Sequence, residues 1–201
     1  MTRICIPDAE YKSRAKRAGE LITARGLDVL ILNGSEADYA NTRYFSGFWP
    51  LFERCGVAVT PEGNTALMVG PESGIFAADV ARIDDVFVML EYRESADPAY
   101  PNLKTAGFVD VLRHLGITGD RLRIGVASIL DTNVVVWEAL KCAFPNAELV
   151  DARDLMVELR SCKSENEIDC LREAARITKI ATDDVIAALK PGMTELQLVG
   201  I

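Results

Sequence analysis

Histidine is the commonest general base near neutral pH, and this chain has one, His114. Phe108, Val111, Leu112 and Leu115 recur at helical spacing as an apolar face, and His114 falls off it, which predicts a solvent-side residue rather than a base. Any His-based triad would depend on that one position. The five cysteines, Cys5, Cys55, Cys142, Cys162 and Cys170, are odd in number and lack a CxxC pair, so they read as reduced, mostly packing thiols. Cys162 and Cys170 do not have the short spacing of a zinc ligand pair. In "MVGPESG" Ser73 is followed directly by Gly74, so the G-x-S-x-G spacing of a nucleophile elbow is absent and Pro71–Ser73 reads as a strand-to-helix turn. Neither a phosphate-binding loop nor G-x-G-x-x-G occurs. Asp84–Asp85 and Asp183–Asp184 are sequence neighbours whose side chains point in different directions, as capping or solvated groups do. The expectation is no catalytic residue and no metal ligand set within this chain.

A different kind of site is legible in "NTRYFSGFWPLFERCG", Asn41 to Gly56, where Tyr44, Phe45, Phe48, Trp49 and Phe52 alternate with Arg43 and Arg54. Aromatic and Arg side chains on a loop held by a rigid scaffold make contact surfaces. Filling a core beneath a sheet would use the same aromatic residues, and the sequence leaves both roles open.

Such a cluster needs a scaffold, and the rest of the chain supplies one. With 201 residues, 49% hydrophobic and 26% charged, it is of ordinary globular composition. The net charge of −8 opposes binding to a phosphate backbone, so no nucleic-acid partner is expected. No apolar run approaches the ~20 residues of a membrane span, and the first residues lack a signal-peptide core, so the expected location is cytoplasmic without membrane contact.

Helical and strand patterns alternate. Tyr11, Ala15, Ala18 and Ile22 share a helix face between Pro7 and Gly26, and "LDVLIL" follows as a buried strand. "GVAVT" and "NTALMV" form a hairpin turning on Gly63. "ESGIFAADVAR" is then a helix and "DVFVML" a strand. The Phe108–Leu115 helix ends at Gly116 before "RLRIGV". A helix carrying Val136, Ala139, Leu140 and Ala143 ends at Pro145 before "AELVD". This order predicts an α/β fold with a mixed sheet flanked by helices on both faces. From Ser164, which with Glu167 has capping-box spacing, one long helix runs to Lys190 with an apolar stripe through Ile168, Leu171, Ile177 and Val185. A boundary falls near Leu159 to Lys163. Thr194 then caps another helix, which the chain leaves unfinished at Ile201, as expected for the front part of a longer enzyme.

"GLDVLILNGSEADYANTRYFSGF", the hairpin, and "DLMVELRSCKSENEIDCLREAARITKIATDDVIAALKPGMTE" resemble the creatinase/prolidase/aminopeptidase P family of pita-bread metallohydrolases. The resemblance implies a ribonuclease H-like N-terminal domain over residues 1–159, used largely in oligomerisation, and the start of a catalytic domain over 160–201. It implies a homodimer that hydrolyses Xaa-Pro peptides or a small amide such as creatine. Two divalent metals (Mn, Co or Zn) would be held by Asp, His and Glu ligands that this chain lacks, leaving the isolated chain inactive. In creatinase a Phe and an Arg of the loop after "YFSGF" reach the partner subunit's active site. Phe52 and Arg54 are the matching pair here, on a spacing two residues shorter, and are the expected substrate-binding residues in trans. The alternative is a free-standing, non-catalytic α/β interaction module.

Overall fold

The computed structural model describes residues 4–94 and 100–201. Asp8–Ser161 forms one compact unit, and the helical stretch from Cys162 to Ile201 belongs to another.

In the first unit the sheet comprises β1 (Val29–Gly34), β2 (Cys55–Val59), β3 (Thr65–Val69), β4 (Val86–Val88), β5 (Arg123–Val126) and β6 (Glu148–Asp151), in the order β4-β3-β2-β1-β5-β6. β2 runs antiparallel to both of its neighbours, while the pairs β1–β5, β5–β6 and β3–β4 are parallel. Five strands therefore point one way and β2 the other. Helices α1 (Asp8–Ala24), α2 (Ala40–Ser46), α3 (Gly74–Val80), α4 (Phe108–His114), α5 (Val134–Ala143) and α6 (Arg153–Ser161) cover it.

The period of two along β1 divides the core into two layers. Leu30 and Leu32 join Val57, Val59, Leu67 and Val69 on one face, where Ala18 and Ile22 of α1, Phe45 of α2, Ala77 of α3 and Leu155 of α6 pack. Val29 and Ile31 join Ala58, Met68 and Ile124 on the other, against Phe108 and Leu112 of α4 and Val136 and Leu140 of α5. Each fully buried Val, Leu, Ile, Phe or Met among them contributes about 1.5–3 kcal/mol. Both predicted faces are thus covered. The register agrees with the layers, since Leu30 lies opposite Val59 and Leu32 opposite Val57.

The hairpin turns at Gly63, whose φ of +83° suits glycine. Gly19, inside α1, lets the helix lie on that turn, because a Cβ there would sit 2.2 Å from the Pro61 carbonyl oxygen.

In the second unit α7 (Glu165–Ala188) begins with the predicted capping box: the Glu167 N–H donates to Ser164 Oγ at 3.1 Å, and the Ser164 N–H to Glu167 Oε2 at 2.9 Å. It ends two residues before the predicted Lys190, because Pro191 disfavours helical backbone in the residue before it. α8 (Glu195–Val199) follows, with Thr194 as its cap.

Candidate functional site at the carboxyl edge of the sheet

The strand order reverses between β1 and β5, since the chain builds leftward from β1 through β4 before returning to its other side. Loops diverge at such a point and leave a crevice at the strands' carboxyl ends. Here the loop after β1 with the start of α2, the loop after β5 (Ala127–Asn133) and one side of α6 border a groove of about 370 Å³, lined by Asp38, Asn41, Ser128, Asp131, Arg153 and Arg160 among others. Because β2 is antiparallel, the segment Pro50–Arg54 enters the sheet at this same edge.

Hydrogen bonds running in one direction fix the loops. Burial pushes the Tyr92 phenol well above its ordinary range, so the hydroxyl stays protonated and donates a hydrogen bond to Asn33 Oδ1 at 2.7 Å. That sets the amide orientation, and Asn33 Nδ2 donates to Thr132 Oγ1 at 2.8 Å. The Thr132 hydroxyl in turn donates to the Ser128 carbonyl at 2.8 Å. Across the groove Arg160 Nη1 donates to Asn41 Oδ1 at 2.6 Å, and Asn41 Nδ2 to Ser128 Oγ at 3.1 Å. Arg153 forks onto Asp151, whose carboxyl this holds below the usual range.

The aromatic cluster divides between its two open roles. Tyr44, Phe45 and Phe48 are buried, and Trp49 is half-buried between Phe76 and the Arg43 guanidinium, 4.6 Å from its ring. Gly47 at φ +67° ends α2 and turns the chain toward β2. Leu51 and Phe52 then project, 58% and 43% exposed. Arg54 is half-buried; its backbone N–H donates to the Tyr92 carbonyl at 3.0 Å and its Nη1 to the Asp131 carbonyl at 3.2 Å. Arg54 thus reaches the groove through its bond to Asp131, and Phe52 stands exposed two residues before it.

The remaining sequence candidates lie elsewhere or are inert. His114, half-exposed, donates through Nε2 to Asp85 Oδ1 at 2.9 Å beside Phe87, at the amino end of β4 and so at the opposite edge. Ser73 precedes α3 and is buried, and Asp183 pairs with Lys179 on α7. Cys55 is buried and its thiol is pushed up to about 12 by desolvation.

The sequence profile of the creatinase/prolidase N-terminal domain matches residues 14–162. The chain belongs to the creatinase/prolidase N-terminal domain family. It is 26% identical over 198 residues to creatinase of Bacillus sp. (strain B-0618), covering 94% of this chain and 43% of that protein. Its fold is similar to that of the dipeptidase PepE of Mycobacterium ulcerans (TM-score 0.65, 20% identity, 96% of this chain and 48% of that one). It is similar also to the prolidase of Pyrococcus horikoshii OT3 (TM-score 0.64, 20% identity, 92% and 46%). The chain thus spans less than half the length of each of these relatives.

Among the described residues no group of three or more His, Cys, Asp or Glu side chains is placed to hold a metal ion. The residues present do not fit the dinuclear centre that the family resemblance implies, and no step of chemistry runs through it here. None of the helices among the described residues is long and apolar enough to cross a membrane. Sequence reasoning missed the domain's Tyr92–Asn33–Thr132 chain and the buried Glu53, because each depends on which strands are neighbours.

Proposed function

We propose that this chain is the N-terminal, oligomerisation and substrate-covering part of a dinuclear metal-dependent hydrolase of the Xaa-Pro peptidase or creatinase type. In this reading it forms a homodimer and offers Phe52 and Arg54 to the substrate site of the partner subunit. The metals (Mn, Co or Zn) and the bond-breaking groups belong to the catalytic part, so the isolated chain hydrolyses nothing.

The observation that carries the reading is the exposed Phe52 on a short tip beside Arg54, at the edge of the sheet where the loops diverge. Arg54 has one guanidinium nitrogen on the Asp131 carbonyl, which orients the fork of donors. The fork suits the carboxylate of a peptide or of creatine. Phe52 beside it excludes water and strengthens that contact by lowering the local dielectric.

The test is steady-state kinetics of the full-length parent protein with Xaa-Pro dipeptides and creatine. Arg54→Ala should raise KM about tenfold or more, consistent with the roughly 1.5–3 kcal/mol of a charge-assisted hydrogen bond, with metal content intact. Unchanged kinetics in both Arg54→Ala and Phe52→Ala would remove the tip from the substrate site and favour the reading of the chain as an interaction module.

A further inference from the structure

Between the exposed tip and the arginine lies Glu53, which is only 1% exposed. A carboxyl group is costly to bury unless its oxygens find donors. Here Oε2 accepts the Ser73 backbone N–H at 2.8 Å and Oε1 the Glu72 N–H at 3.3 Å, both from the turn between β3 and α3. The turn is shaped to receive it: a Cβ on Gly70 would lie 2.3 Å from the Glu53 carboxyl. A leucine would leave these backbone donors without their carboxylate acceptor, so the carboxyl ties the segment before β2 to the turn between β3 and α3.

That geometry acts on a two-residue projection. Pro50 is buried on one side of Leu51–Phe52 and Glu53 on the other, and Arg54 is then tied by its N–H to Tyr92 and by its guanidinium to Asp131. The tip has a fixed point at each end, and a contact made by a pre-ordered loop loses less conformational freedom on binding.

We infer that Glu53 is the positioning residue of the substrate contact, locking the tip so that Phe52 projects and the Arg54 fork keeps its aim. This rests on the reading of Phe52 and Arg54 as substrate-binding residues. A positioning role differs from a purely structural one in its expected signature: the effect of a Glu53 variant on KM should vanish when Arg54 is absent.

The experiment is a double-mutant cycle on KM in the full-length parent protein. Glu53→Gln keeps the shape but turns an NH2 group toward one of the two backbone donors, and should raise KM about fivefold with kcat within about twofold. In an Arg54→Ala background the same substitution should change KM by less than about twofold. Gly70→Ala, which displaces the carboxyl from the opposite side, should reproduce the effect and carries the test if Glu53→Gln does not fold. A KM unchanged by either variant, or an effect that multiplies in full on top of Arg54→Ala, overturns the inference. An Arg54→Ala protein with wild-type KM overturns this inference, and the underlying reading with it if Phe52→Ala is equally silent, whereas a strong Arg54→Ala effect with a silent Glu53→Gln overturns the positioning role alone.

Discussion

Close packing around single atoms sets the sharpest constraints on this domain. Gly56 on β2 faces Tyr92, and a Cβ there would sit 2.2 Å from the phenol oxygen that orients Asn33. Gly56→Ala should therefore destabilise the fold by about 1–3 kcal/mol, as overpacked cores do, measured as a lower urea midpoint at unchanged slope. Its neighbour Cys55 gives a pH signature. With its folded value raised from 9.0 to about 12, the thiol is neutral in both states below pH 9, and its contribution is fully present there. Above that the unfolded chain ionises first, so stability is lost as pH rises from about 9 to 12, and Cys55→Ala should flatten the decline. At pH 8 a thiol reagent should label Cys5, Cys142 and Cys162, which are exposed, and reach Cys55 only after unfolding. At this scale the sequence marked the Asn41–Gly56 cluster through its aromatic and Arg content, and the family resemblance alone singled out Phe52 and Arg54 within it. It could not mark Glu53, because its partners are backbone N–H groups twenty residues away, and side-chain type alone does not encode them.

Elements announced by periodicity or by a capping residue were legible. The alternation in "LDVLIL", the Phe108–Leu115 face and the Ser164–Glu167 box each recur as β1, α4 and the start of α7. Helices α2 and α6 were not read. Seven and nine residues long, they give too few turns for a periodic stripe, and Tyr44 and Phe45 of α2 resemble strand or loop composition as much as helix. Their form follows from packing against α1: Arg14 of α1 stacks 4.3 Å from the Tyr44 ring and donates to the Tyr44 carbonyl at 2.9 Å, while Arg17 reaches the Leu159 carbonyl of α6 at 3.1 Å. The loop beside the groove depends on its helix in the same way. Asn133 caps α5 by accepting the Val136 N–H at 2.8 Å, so Asn133→Ala should cost about 1 kcal/mol, read from the denaturation midpoint.

At the scale of the whole molecule, both core layers are built from residues within Asp8–Ser161. A protein ending at Ser161 should therefore fold, with a cooperative thermal transition and the near-ultraviolet signal of Trp49 and Trp137 retained; a non-cooperative melt would show that the later residues complete the core. The mixed sheet and its two helical layers were legible from element order, but the crevice was not, because it arises where the strand order reverses and no local pattern records which strands become neighbours. The proposal that this chain supplies contact residues while bond-breaking belongs to the catalytic part is tested most directly by metal content. After dialysis against a chelator and reloading with manganese, cobalt or zinc, residues 1–201 should retain no stoichiometric metal by elemental analysis, and the full-length parent two equivalents per chain. Two equivalents held by residues 1–201 alone would contradict it.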